Sequence, residues 1–171
     1  FNRHEYVEIA SDPNFDRDLF EEVKEDYVVY LYTRNIALDI MGTTWYHLKV
    51  GWNLSGLLDA NLAPYPAYEA FDGVTEALTG ASFTKEINFG TGIRGFEFSK
   101  NGRTLWVLFS LNSAKQFVSV EQADVYNQQY DPIWGTPYSG LVSFQRPVYI
   151  EFDDSNVPEF VSYNFLPLVN R

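Results

Sequence analysis

Hydrophobic positions in the first quarter of the chain recur at the spacing of an α-helix. Asp12 and Pro13 supply a start signal, with Asp12 as the N-cap and Pro13 in the first turn. The apolar positions that follow at helical spacing are Phe20, Val23, Tyr27, Tyr30, Leu31, Leu38 and Met41. This pattern predicts one long helix with a single apolar stripe.

A short segment of β character separates this helix from a second one. Gly42 can end the first helix, and residues 43–48 have the β-branched and aromatic content of a strand. A glycine-rich loop follows at residues 51–59. Pro66 then opens a second helix, which Gly80 can cap at its end and whose buried stripe is Ala67, Phe71, Val74 and Leu78. A series of this kind belongs to an α/β sheet or barrel, so we expect residues 43–48 to lie beside parallel strands that this chain does not itself contain.

The hydrophobic period changes to two after residue 82, which predicts antiparallel strands. Asn101 and Gly102 mark a tight hairpin between an alternating strand at residues 96–98 and a return strand at 105–109. Four further strands are predicted at 117–120, 123–126, 141–144 and 148–152, with a weak edge strand at 157–171. Short strands separated by turn signals are typical of an antiparallel β-sandwich, and together with the helices they indicate the α+β class.

Composition and charge exclude several classes of partner. The net charge of −11 disfavours nucleic acid and anionic membranes, and no apolar run approaches the ~20 residues of a membrane span. The absence of cysteine excludes disulfides and thiolate metal sites. The two histidines, His4 and His47, have no spaced partner, so we predict no metal site and no cofactor. Because the chain begins at Phe1, we expect a processed or truncated product that a targeting signal once preceded.

Four stretches, in this order, resemble the C-terminal end of a retaining glycoside hydrolase with a (β/α)8 barrel. Residues 42–48 resemble the eighth barrel strand, and residues 55–71 are similar to a "gly-leu-leu-asp … pro-ala-tyr-x-ala" run that enters the eighth helix. Residues 102–110 and 147–151 resemble the central hairpin and last strand of the β-sandwich that follows the barrel in families such as 39 and 5. The resemblance implies a barrel remnant over residues 1–80 and an antiparallel β-sandwich over residues 81–171.

The resemblance also implies which chemistry this chain lacks. Such enzymes use two carboxylates about 5 Å apart, and in the family these follow the fourth and seventh barrel strands. This chain begins after the seventh strand, so we expect no catalytic residue in it. A complete barrel needs about 250 residues, of which this chain represents only the final quarter.

Aromatic side chains at the end of the predicted eighth strand are the candidate sugar-binding residues. In the family a tryptophan at the position of Trp45 forms the floor of the subsite beside the scissile bond, because a flat ring packs well on the C–H face of a sugar. Tyr46 and His47 follow it, and Trp52 stands in the glycine-flanked loop. The alternative for each is an aromatic packed in the core or anchoring a loop.

These observations predict the non-catalytic C-terminal portion of a secreted or cell-surface glycoside hydrolase. Its partners would be a polysaccharide or oligosaccharide, bound through the parent barrel, and either the missing barrel portion or another copy of the chain. A self-contained carbohydrate-binding or structural β-sandwich module is the first alternative. The second is a standalone enzyme with carboxylates such as Glu97 and Glu151 paired in a cleft.

Overall fold

The computed structural model describes residues 16–49, 54–90, 92–112, 114–135, 137–153, 155 and 157–158. These residues form two helices followed by six strands, so the predicted α+β class is confirmed. The helices are α1 (Arg17–Ala37) and α2 (Pro66–Leu78). The strands are β1 (Ser82–Asn88), β2 (Ile93–Lys100), β3 (Arg103–Ser110), β4 (Gln116–Tyr126), β5 (Tyr138–Phe144) and β6 (Val148–Asp153). Neither helix in this described part of the chain is long and apolar enough to cross a membrane.

Helix α1 is capped at both ends by signals that differ from the predicted ones. The Asp16 carboxylate accepts hydrogen bonds from the backbone N–H groups of Asp18 and Leu19, so Asp16 is the N-cap; Asp12 lies outside the described residues. At the other end the helix stops at Ala37 rather than at Met41. Asp39 adopts φ 54°, a left-handed conformation that an α-helix does not tolerate.

Helix α2 and the hairpin between β2 and β3 form where the sequence predicts them. Pro66 stands at the start of α2, where its missing N–H is harmless, and Gly80 beyond the helix end has φ 75°. Asn101 and Gly102, with φ of 53° and 75°, form the two-residue turn of the hairpin. Both elements depend on residues adjacent in the chain, so the sequence alone predicts them.

All six strands belong to one antiparallel sheet with the order β1-β2-β3-β6-β4-β5. The predicted strands at 117–120 and 123–126 are the two halves of β4, joined through a register shift where Gln122 has φ 49°. The first half pairs with β5, whereas residues 123–126 pair with β6. The hydrogen bonds therefore join the strands into one sheet and not into the two separate sheets of the predicted sandwich. The predicted edge strand at 157–171 falls almost wholly outside the described residues.

The sheet carries a hydrophobic core on each face. One core contains side chains of both helices and of β2, β3 and β6, including Val28, Val74, Phe98 and Leu105. The other contains side chains of β1, β2 and β3 together with side chains of β4, β5 and β6, so the bend in β4 lets one part of the sheet pack over another. Because the helices share a core with the strands, burial on both faces of the sheet holds the described helices and strands together. The division at residue 80 stays a prediction.

The predicted strand at residues 43–48 is wrong. This segment has no regular secondary structure, and its nearest strand-like feature is an isolated parallel bridge between Lys49 and Leu58. β propensity reflects packing against neighbouring strands, and the described chain places no ladder beside this segment. Hydrogen bonds to α1 and to the following loop hold it instead, for example the one from the Asn35 side-chain amide to the Thr43 hydroxyl.

Candidate functional site

Trp45 is anchored between α1 and the loop that follows. Its indole N–H donates a hydrogen bond of 2.6 Å to the Ser55 carbonyl oxygen. Its ring meets Tyr27 of α1 edge-to-face, with the centroids 6.2 Å apart, and it packs against the helix-facing core. The side chain is half-buried, so Trp45 combines a fixed orientation with partial access to solvent.

Tyr46 and His47 lie next to this anchor and are held less deeply. The Tyr46 and His47 rings are 4.1 Å apart, and His47 Nδ1 lies 2.8 Å from the Ser55 hydroxyl oxygen. Tyr46 is 82% exposed. We call Trp45, Tyr46 and His47 the aromatic segment. The structure brings these three predicted site residues together, whereas Trp52 lies outside the described residues.

The loop that carries Ser55 is fixed from two sides. The N–H groups of Leu57 and Leu58 both donate to the Leu48 carbonyl oxygen, at 3.0 and 2.8 Å. On the other side the Lys24 ammonium group of α1 donates to the carbonyl oxygens of Leu54 and Gly56, at 3.3 and 2.9 Å. The residues that support the aromatic segment thus come from helix α1 and from the loop at residues 54–58.

Lys24 is buried completely, which its place in the sequence does not indicate. Its ammonium group forms a 2.6 Å ion pair with Glu21 and lies 4.7 Å from the centre of the Tyr65 ring. Burial lowers the pKa of Lys24, and the pairing with Glu21 opposes that shift. A lysine that stands between Glu22 and Glu25 on a helix is expected at an exposed position, because the sequence does not indicate the loop that covers it.

A polar cluster links three strands on the helix-facing side of the sheet. Arg103 forms ion pairs of 2.6 Å with Glu151 and 2.7 Å with Asp124, and the Tyr130 hydroxyl donates to Glu151. Burial and this hydrogen bond to Glu151 raise the pKa of Tyr130. The cluster borders a pocket of about 250 Å³ that Lys100 also lines. Since each of these charged groups already holds a partner, the cluster's chemistry is that of a structural tie between β3, β4 and β6.

The two glutamates considered as a catalytic pair lie on opposite faces of the sheet. Glu97 pairs across the ladder with Trp106 and accepts a 3.0 Å hydrogen bond from its indole N–H. Glu151 pairs with Leu105, one position along β3, and directly opposed side chains share a face. Because the sheet separates the two carboxylates, the standalone-enzyme alternative that uses this pair is wrong.

Other large aromatic side chains lie in three separate places. Trp106 is buried in the core on the face of the sheet away from the helices. Tyr126 stacks on Tyr130 at 4.4 Å within the Arg103 cluster. Trp134 stacks on Tyr138 at 4.3 Å and is 36% exposed. Of these rings, that of Trp134 is exposed, those of Tyr126, Tyr130 and Tyr138 are partly buried, and that of Trp106 is fully buried.

An arginine from the β5–β6 turn joins the sheet to α1. Arg146 forms ion pairs of 2.6 Å with Glu25 and 2.8 Å with Asp26, and Glu22 lies 3.8 Å away. Burial raises the pKa of Asp26 to about 6, against the opposing effect of Arg146. This contact fixes α1, and with it Lys24, relative to the sheet.

The fold has counterparts among solved structures. A family 39 glycoside hydrolase from the gut symbiont Bacteroides cellulosilyticus WH2 matches with a TM-score of 0.63 and 17% identity, over 80% of this chain and 31% of that one. A GH30 endoxylanase from Clostridium papyrosolvens C71 matches with a TM-score of 0.49 and 12% identity, over 75% of this chain and 38% of that one. The neighbours are glycoside hydrolases. No protein-family model and no curated protein matches the sequence.

These matches define how far the likeness extends. At 17% identity the chain shares its fold with part of the family 39 enzyme, and it spans under a third of that enzyme's length. The predicted resemblance in fold to part of a glycoside hydrolase is confirmed. The likeness to family 5 stays a prediction.

Proposed function

We propose that this chain is the C-terminal portion of a secreted or cell-surface glycoside hydrolase. In that enzyme it would carry no catalytic residue and would add an aromatic wall to the sugar site and a β-sheet module to the barrel. The observation that supports this most is the fold shared with part of a family 39 glycoside hydrolase. The reaction of the whole enzyme would be retaining hydrolysis of a β-glycosidic bond, by carboxylates outside this chain.

The aromatic segment is the part of the chain best suited to contact a sugar. The C–H face of a pyranose packs on an aromatic ring, and its hydroxyl groups need a small number of fixed polar partners. Tyr46 offers an exposed ring, and the adjacent His47 is held by Ser55. Trp45, whose indole N–H is already bonded, would contribute the edge of the wall rather than a hydrogen bond.

An exposed apolar face supports the proposal that the rest of a barrel covers this part of the chain. Large hydrophobic side chains with high exposure concentrate at the end of α1 and in the segments after it: Ile36, Leu38, Ile40, Met41, Tyr46, Leu48 and Leu62. Exposed apolar surface on this scale marks an interaction site. We propose the preceding part of the same enzyme as its partner, with a second copy of this chain as the alternative.

A self-contained carbohydrate-binding module is the second candidate, favoured by the stacked pair of Trp134 and Tyr138. This pair lies outside the aromatic segment and presents a half-exposed indole ring of the kind that holds a sugar. The two candidates place the sugar on different rings. A single titration series therefore separates them.

That series titrates the chain with xylohexaose and with cellohexaose by calorimetry. For the leading proposal we expect Tyr46→Ala to raise the Kd about tenfold, since an aromatic anchor contributes on the order of 1–2 kcal/mol. Phe117→Ala, which removes an exposed ring from β4, is the matched control and should leave the Kd unchanged. An effect of Trp134→Ala with none from Tyr46→Ala supports the module instead. Absence of binding to both oligosaccharides contradicts a sugar-contacting role.

A further inference from the structure

The buried ammonium group of Lys24 is placed to control the aromatic segment through one loop residue. Lys24 Nζ holds the carbonyl oxygens of Leu54 and Gly56, the residues on either side of Ser55. Ser55 in turn accepts the Trp45 indole N–H through its backbone carbonyl and lies 2.8 Å from His47 Nδ1 through its hydroxyl. Lys24 therefore acts on both neighbours of Tyr46 without touching any of the three rings.

A charge in this position needs a reason beyond packing. Burying an ammonium group is unfavourable unless ion pairing and hydrogen bonds replace its hydration. In this protein Glu21, two carbonyl oxygens and the face of the Tyr65 ring provide that replacement. An apolar side chain would fill the same space at lower cost, but it would leave the two carbonyl oxygens without their donor and remove one of the two supports of the loop.

We infer that Lys24 is a positioning residue for sugar binding: its ammonium group fixes residues 54–56 so that Ser55 orients Trp45 and His47 around the exposed Tyr46. This inference rests on the proposed function, because it assigns a task to the same aromatic segment. Lys24 itself contacts no sugar. The loop that it holds sets the angle at which the segment meets one.

A second lysine in the chain provides a matched control. Lys100 Nζ also donates to two carbonyl oxygens, those of Glu76 at 2.5 Å and Ala77 at 3.0 Å, near the C-terminal end of α2. Its bonds resemble those of Lys24 in number and type but lead to no residue of the aromatic segment. Lys24→Met and Lys100→Met thus remove the same chemical group from two carbonyl pairs.

The decisive readout is the indole N–H resonance of Trp45 in two-dimensional NMR, assigned from the spectrum of Trp45→Phe. In Lys24→Met we expect this resonance to move upfield and its exchange with water to become faster, because its bond to Ser55 loosens. The indole resonance of Trp106, which is bonded to Glu97, should stay in place. Lys100→Met should move neither resonance. An unchanged Trp45 resonance in Lys24→Met overturns the inference.

The oligosaccharide titration then separates this inference from the proposed function. We expect Lys24→Met to lose a large part of the roughly tenfold affinity that Tyr46→Ala loses, and Lys100→Met to bind as the unaltered chain does. If Tyr46→Ala weakens binding and Lys24→Met does not, the positioning role is wrong and the proposed function stands. If Tyr46→Ala has no effect, the proposed function fails, and the Trp45 resonance still decides whether Lys24 orients the segment.

Lys24→Gln guards against a variant that fails to fold. Its amide N–H₂ group keeps a donor for one of the two carbonyl oxygens, without the buried charge. The Trp45 resonance in Lys24→Gln should lie between those of the unaltered chain and of Lys24→Met. A folded Lys24→Gln whose Trp45 resonance and affinity equal those of the unaltered chain contradicts the inference as directly as the methionine variant does.

Discussion

At the scale of single residues, the fold depends on charges that burial forces into pairs. Lys24 is one case, and Asp26 is another: its carboxylate faces Arg146 from the β5–β6 turn, with Glu22 and Glu25 beside it on α1. Desolvation and the two like charges outweigh the cation, so the pKa of Asp26 rises from 3.8 to about 6. The stability of the contact between α1 and the sheet should therefore depend on pH.

The sign of this pH dependence follows from which state of the chain, folded or unfolded, binds the proton of Asp26 more tightly. Between about pH 4 and pH 6 the folded chain holds a proton on Asp26 that the unfolded chain has released, so Asp26 favours folding at the acid end of this window. As pH rises through about 6, this contribution, on the order of 1–3 kcal/mol, is lost.

The measurement is urea unfolding of the chain and of Asp26→Asn at several pH values. The unfolding free energy of the unaltered chain, minus that of Asp26→Asn, should fall as pH rises from 4 to 6. Asp39→Asn, which removes an exposed carboxyl from the same helix's end, controls for the loss of one charge in a chain of net charge −11. A difference that rises with pH over this window would show that Arg146 outweighs burial.

At the scale of elements, close approach of backbones positions α2 against the sheet. Gly73 faces the loop after β4, and a Cβ atom added there would lie 2.4 Å from the Gln129 carbonyl oxygen. No side chain fits in that space without a shift of the helix or of the loop. Helix α2 contributes much of the core that supports the sheet, so a shift of the helix would also disturb the packing of that core.

Gly73→Ala should destabilise the chain by about 1–3 kcal/mol, since overpacking outweighs the better helix propensity of alanine. Gly135→Ala, at a position where an added Cβ meets nothing within 4 Å, is the control and should leave stability almost unchanged. Urea midpoints of the two variants test this comparison. A Gly73→Ala chain as stable as the unaltered one would mean that α2 does not pack on residue 129 as described.

Elements that depend on local signals were predictable from the sequence, and those that depend on distant partners were not. The start of α2 at Pro66 and the Asn101–Gly102 turn each depend on two or three adjacent residues, so the sequence alone predicts them. Residues 43–48 have strand composition, but pairing needs a neighbour that composition cannot supply. Likewise the sequence names Trp45, Tyr46 and His47 as neighbours, whereas the support by Lys24 joins residues 30 or more positions apart.

At the scale of the whole molecule, two surfaces differ in character. The sheet buries a core on each face, while the end of α1 and the segments after it leave large apolar side chains open to solvent. In a strongly acidic chain, an apolar region of this kind is suited to contact with a permanent partner. The preceding part of a barrel enzyme is the partner that we propose.

The most direct test of that partnership is the mass of the intact polypeptide that carries this sequence in its source organism, measured by immunoaffinity capture and mass spectrometry. We expect one chain longer by about 250 residues on the N-terminal side, enough for the missing barrel strands. The sequence of the added residues, assembled from tryptic peptides, should place two glutamates at the ends of predicted strands, as the catalytic pair of a retaining enzyme. A polypeptide only slightly longer than 171 residues would contradict the proposal that a barrel precedes this chain.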